Sequence, residues 1–115
     1  MSPLLLVADI NRSIEFYKKQ LDFEIDFRYE DFYAGIVKDG HSIHLKVDEY
    51  SIKERKSKRN NLDSIVFSVS NIEGLYEELS HRPVEIVQSL RDMPYGKEFY
   101  IADPDSNIIA FAEAA

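Results

Sequence analysis

Leu5-Leu6-Val7-Ala8-Asp9-Ile10 is echoed by Phe67-Ser68-Val69-Ser70-Asn71-Ile72, each a strand running into a helix cap. Beyond each cap the apolar residues fall into helical step: Ile10, Ile14, Tyr17 and Leu21 in the first copy, Ile72, Leu75, Tyr76 and Leu79 in the second. The tails agree more loosely, with Val37-Lys38-Asp39-Gly40 before Ile43-His44-Leu45 set against Ile101-Ala102-Asp103-Pro104 before Ile109-Ala110-Phe111. A duplicated unit in 115 residues implies two half-domains about a pseudo-twofold axis. A ligand site is then expected between the halves, built from equivalent positions.

Working outward, Pro3 to Val7 reads as a buried strand, with proline at its start where a missing N–H does least harm. Asp9 or Asn11 can cap a helix running to about residue 20. A strand from Glu24 to Tyr29 follows, with Phe23, Ile25, Phe27 and Tyr29 on one face, then a turn at Glu30-Asp31 and a strand from Phe32 to Lys38. Asp39-Gly40 is a two-residue hairpin signal, and Ser42 to Val47 is the next strand. The second half repeats the order: strand Asp63 to Val69, Asn71 as cap, and a helix ending at Ser80-His81 because Pro83 disfavours helix at Arg82. Val84 to Gln88 reads as strand, Leu90 to Gly96 as loop, and Lys97 to Ala102 and Ile108 to Glu113 as strands around a turn at 103–107. The expected class is α+β, two tandem βαβββ modules (about 1–48 and 62–115, with a connector at 49–61) in a single domain. One helix covers one face of each sheet. Two such modules can curl their sheets around a cleft, although other α+β sandwiches fit the same string of elements.

Composition narrows the function. An apolar fraction of 44% with 12% aromatic is ample for a packed core, and zero cysteines exclude disulfides, thiol nucleophiles and thiolate metal sites. No apolar run approaches the roughly 18 residues of a membrane span, and no basic leader precedes Leu4, so a cytoplasmic protein is expected. The net charge is −7; five basic residues against one acidic between 53 and 59 give that stretch +4, which leaves −11 elsewhere. An acidic body argues against nucleic acid as a partner and for cations, and the basic run reads as a solvated connector.

Together, Val7-Ala8-Asp9-Ile10, Ser13-Ile14-Glu15-Phe16-Tyr17, Pro94-Tyr95-Gly96-Lys97-Glu98-Phe99 and Asp103-Pro104-Asp105-Ser106-Asn107 resemble the vicinal oxygen chelate superfamily, which includes glyoxalase I, extradiol dioxygenases, fosfomycin-resistance enzymes and bleomycin-resistance proteins. The resemblance covers essentially the whole chain and implies the glyoxalase/bleomycin-resistance fold. Ser106 stands where the family usually places glycine, so Asn107 is expected to take the left-handed turn conformation. The resemblance places the family's four metal-ligand positions at Ser2, His44, Ser64 and Ala110. Three of these lack a good donor, and one histidine does not hold a divalent metal. His41, three residues from His44 on a strand, points to the opposite face, and His81 reads as a surface residue.

The likeness is strongest to bleomycin-resistance proteins, which implies capture of a bulky cationic or aromatic antibiotic without metal or turnover. It also implies a homodimer, in which Pro3 marks the start of an N-terminal strand of the kind exchanged between subunits, and no nucleic-acid or membrane partner. Glu30-Asp31-Phe32-Tyr33-Ala34-Gly35 resembles that group's acidic-aromatic turn, and Tyr95 takes the place of a groove-lining aromatic, often tryptophan, which this chain lacks. The candidate ligand-binding residues are Tyr29, Phe32, Tyr33, His44, Tyr95 and Tyr100, with Glu30, Asp31, Asp48 and Glu49 as long-range attraction. Phe16, Phe23, Phe27, Phe67, Phe99 and Phe111 are expected in the core. No catalytic residue, metal ligand set or cofactor is assigned. The alternatives are a divergent metal-dependent lyase, isomerase or dioxygenase using His44, or an interaction subunit with no small-molecule role.

Overall fold

A computed structural model describes residues 3–48 and 64–115; the connector and its basic run lie outside the described residues. Asp9 is the cap of α1 (Ile10–Leu21), its carboxylate accepting from the N–H of Arg12 at 3.1 Å. The helix buries Ile10, Ile14, Tyr17 and Leu21, the apolar step read from the sequence, and Ser13 with them. Asp22 ends it in the left-handed region at φ 62°, after which Phe23 N–H bonds the Tyr17 carbonyl at 3.0 Å and their rings meet edge-on at 5.8 Å. In the second half Asn71 caps α2 (Ile72–Ser80) by accepting from Gly74 N–H at 3.3 Å. A Cβ on Gly74 would lie 2.5 Å from the Asn71 side-chain amide, so a larger residue there would push this cap aside.

Each helix covers one four-stranded sheet. β1 (Leu4–Val7), β2 (Glu24–Tyr29), β3 (Tyr33–Lys38) and β4 (His41–Val47) lie in the order β1-β4-β3-β2. β5 (Ser64–Ser68), β6 (Glu85–Met93), β7 (Gly96–Ala102) and β8 (Ile108–Ala114) repeat it as β5-β8-β7-β6. In both sheets the first strand pairs parallel to the last and the other pairs are antiparallel, as two βαβββ modules require. The register makes the halves comparable residue by residue. Leu4 and Gly35 flank His44 as Val66 and Tyr100 flank Ala110.

Alternate residues of the strands (Leu5, Val7, Ala34, Ile36, Ile43 and Leu45 in one sheet; Phe67, Phe99, Ile101, Ile109 and Phe111 in the other) join the helices in one core spanning both modules. The modules are tied by the turn between β7 and β8. Tyr17, fully buried, donates its hydroxyl to Asp103 at 2.7 Å, and Asn107 Nδ2 bonds both Asp103 and the Leu6 carbonyl at 2.9 Å. Arg12 and Ser13 reach Asp105 at 2.6 and 3.3 Å. Asp103 caps backbone as well: the N–H groups of Asp105 and Asn107 both bond its carboxylate.

Three expectations are corrected. Leu90 to Met93 is strand rather than loop, because β6 stays paired with β7 to Met93–Gly96 through two register shifts, leaving only Pro94-Tyr95 as the turn. Ser106, not Asn107, adopts the left-handed conformation, at φ 67°, since Asn107 is held by Asp103. A register shift between Ile25 and Phe27 pairs Ile25 with Ile36 on the helix side but Phe27 with Gly35 on the other, so the four apolar residues of this stretch do not share a face.

Burial holds the Asp103 carboxyl above the usual range, against the lowering effect of its bonds from Asn107 and Tyr17. A raised carboxyl opposes folding as pH climbs through the raised value and is harmless below the ordinary value near 3.9. Tyr17→Phe removes a donor to the ionised form, so it should destabilise by about 1–3 kcal/mol at pH 7 and by much less near pH 4, measured by urea unfolding at both. Glu113 has the opposite sign. Bonds from the N–H groups of Ile72 and Asn71 hold its carboxyl below the usual range, a contribution present at neutral pH and lost as pH falls through the lowered value. Glu113→Gln should lower Tm at pH 7 and converge with the parent in acid, read by thermal scans across pH.

Candidate functional site

The faces turned away from the helices carry two separate groups. On the first sheet, Phe27 lies across Gly35, where any Cβ would come within 2.2 Å of its ring. That position puts Phe27 edge-on to His44 at 5.2 Å and stacked with Tyr33 at 6.2 Å, while Tyr29 completes the group at 5.5 Å from Phe27. The Tyr33 hydroxyl and His44 Nδ1 share a hydrogen bond of 2.9 Å, which leaves Nε2 as the imidazole's other polar atom.

On the second sheet the residues gather around Glu98, which is 5% exposed. Tyr95 donates its hydroxyl to Oε1 from the β6–β7 turn, and Tyr100 donates to Oε2 at 2.7 Å. Arg91 grips Oε2 with Nε at 2.8 Å and Nη2 at 2.5 Å, its guanidinium 5.6 Å from the centre of the Tyr100 ring. The bond from Tyr95, with those from Tyr100 and Arg91, holds the Glu98 carboxyl below the usual range against its desolvation. The Tyr95 phenol is held up by the same bond. Both phenols therefore direct their protons to Glu98; the Tyr100 oxygen also accepts from Arg91 Nη2 at 3.4 Å, whereas the exposed Tyr95 ring is left open, a surface suited to cations and hydrogen-bond donors.

Of the six residues expected to bind ligand, the fold brings Tyr29, Tyr33 and His44 together, and Tyr95 and Tyr100 together. No ring contact or hydrogen bond joins the two groups among the described residues. Phe32, 54% exposed, belongs to neither; its carbonyl accepts from Val47 N–H. A cavity of about 350 Å³ on the helix side of the sheets is lined by none of the six. Phe27, expected in the core, is the centre of the first group, and Arg91 and Glu98 were not foreseen. Gly35 was the signal for Phe27, while reading Leu90 to Met93 as loop concealed that Arg91 faces Glu98. Of the acids expected to attract cations, Asp31 is paired with Arg28 at 2.7 Å and Glu49 lies outside the described residues.

The fold family implies a divalent metal, and the donor set here does not fit one. Ala110 occupies the place equivalent to His44 and offers no ligand atom. His44 shares Nδ1 with a phenol. Ser2 lies outside the described residues, and Ser64 is described by its backbone alone. No cluster of three or more His, Asp or Glu able to hold a metal occurs among the described residues.

The sequence profile of the glyoxalase/bleomycin resistance protein/dioxygenase superfamily matches residues 2–111. Among solved structures, the bleomycin-binding protein of the bleomycin producer Streptomyces verticillus, complexed with copper(II)-bleomycin, is 23% identical with a TM-score of 0.80, the match covering 100% of this chain and 95% of that one. TioX from Micromonospora sp. ML1 is 17% identical, TM-score 0.76, over 100% and 95%. TnmS3, an antibiotic binding protein from Streptomyces sp. CB03234, is 15% identical, TM-score 0.71, over 100% and 96%. At such identities the likeness speaks for the fold alone. Comparison with curated proteins gives no significant match. With a profile match over nearly its whole length and two βαβββ sheets that do not close, the chain belongs to the glyoxalase/bleomycin resistance protein/dioxygenase superfamily.

Proposed function

We propose that this protein captures a cationic or aromatic small molecule, of the bleomycin type or another antibiotic, without metal and without turnover. The observation that carries this reading is the pairing of aromatic rings with committed polar atoms on both open faces. His44 is tied to Tyr33, and Glu98 is saturated by Tyr95, Tyr100 and Arg91. These groups offer ring faces and lone pairs, and their carboxylate and His44 Nδ1 are already engaged by neighbours. The antibiotic-binding neighbours of the same fold support the reading. Because the two groups sit on different sheets, a cleft using both calls for a second copy, so the protein acts as a homodimer. Leu4, Tyr29, Val66 and Tyr95, all exposed, form the apolar surface that the partner and the ligand cover.

Titration of the purified protein with metal-free bleomycin, followed by calorimetry, tests the ligand. Saturable binding is expected, and Tyr95→Ala should weaken it about tenfold, near 1.4 kcal/mol for one lost aromatic contact. Elemental analysis of the same sample should find no stoichiometric divalent metal; one metal per site would favour the metal-dependent lyase, isomerase or dioxygenase instead. Sedimentation should give a dimer, and a monomer at micromolar concentration would remove the shared cleft. Gly35→Val should displace the Phe27 ring, reducing affinity while leaving the helix-side core and its unfolding midpoint largely intact.

A further inference from the structure

The duplicated halves differ most where a hairpin turn meets the opposite module's helix. By register, Lys38 and His41 stand in module one where Asp103 and Asn107 stand in module two. By helix position, Leu75 and Leu79 of α2 stand where Ser13 and Tyr17 stand in α1. In one half the place is full, with the Tyr17 ring buried and its hydroxyl on Asp103. In the other, leucine replaces tyrosine and the two-residue Asp39-Gly40 replaces Pro104-Asp105-Ser106 between the hairpin ends. The result is the cavity of about 350 Å³, lined by Lys38, Asp39, His41, Phe67, Leu75 and Leu79 among others. That volume falls in the range of small-molecule pockets.

We propose that this cavity is a second ligand site, separate from the open sheet faces, that takes a single-ring aromatic carboxylate. The ring supplies what Tyr17 supplies in the other half, packed on Phe67, Leu75 and Leu79. The polarity is reversed. Asp103 accepts a hydrogen bond from the tyrosine, whereas Lys38 is a donor and calls for an acceptor on the ligand. Lys38 Nζ directs one N–H to the Leu21 carbonyl at 2.9 Å and has two more to give. Of the other charges at the mouth, Arg82 holds both Asp22 and Glu78, so each of these carboxylates already has a cation and the trio keeps one negative charge in excess. Asp39, beside Lys38 on the turn, is the opposing acid.

The test uses benzoate and its neutral analogue benzamide, titrated into the full-length protein by ligand-observed NMR. Benzoate should bind one per chain, at least about fivefold more tightly than benzamide. Lys38→Met should abolish that preference, and Asp39→Asn should tighten benzoate. Leu75→Trp, which projects an indole into the cavity, should weaken binding of both at least about fivefold while the thermal unfolding midpoint is largely retained. Absence of saturable benzoate binding to the parent up to about 20 mM, or affinity unchanged by both Lys38→Met and Leu75→Trp, would overturn the site. Bleomycin capture is unaffected by either result, because none of these residues belongs to the open faces.

Discussion

A four-stranded sheet has two faces, and among the described residues each sheet of this protein has one helix. That shortage organises everything else. The helix-side faces merge into one core across both modules, through contacts such as Phe23 against Phe67 at 6.0 Å, and the remaining faces are left outward. Residues on those faces are freed from the packing constraint, which is why aromatic and charged groups gather there instead of a uniform aliphatic layer. The sheets also stay unclosed, since among the described residues neither has a further strand with which to complete a barrel.

The modules are joined asymmetrically. The β7–β8 turn grips α1 through Tyr17, Arg12 and Ser13, and Asn107 reaches back to the β1 backbone at Leu6. At the far end of α1, Arg82 bonds the Gln20 carbonyl at 2.6 Å, so both ends of this helix are held by the second module. A buried carboxylate such as Asp103 is tolerable only because four donors converge on it.

The repeat made the architecture legible. Two copies of strand, cap and helical apolar step, with hairpin signals behind them, give the order of elements, and both caps were readable from residue type and position. What escaped reading was register. A bulge after Ile25 has no mark in composition, so Phe27 passed for a core residue on alternation alone. The paired Leu90 to Met93 looked like loop because Pro94 and Gly96 dominate the local signal, and Arg91 was lost with it. The candidate residues were recognisable by type, whereas their partition into two groups depends on which sheet each strand joins, a long-range fact. The loosely matching tails 37–45 and 101–111 align by eye one residue away from the equivalence that the strand pairing gives at the turn, where Lys38 rather than Asp39 corresponds to Asp103.

Gly35 and Tyr100 are equivalent by register, yet one has no side chain and the other a large ring. The bare backbone at Gly35 is overlaid by Phe27 from the adjoining strand. An aromatic group thus stands at this register position in both halves, contributed once by the strand itself and once by its neighbour. Duplication here has preserved a surface while exchanging the residue that furnishes it, so comparing the halves position by position misses a likeness that is evident in three dimensions.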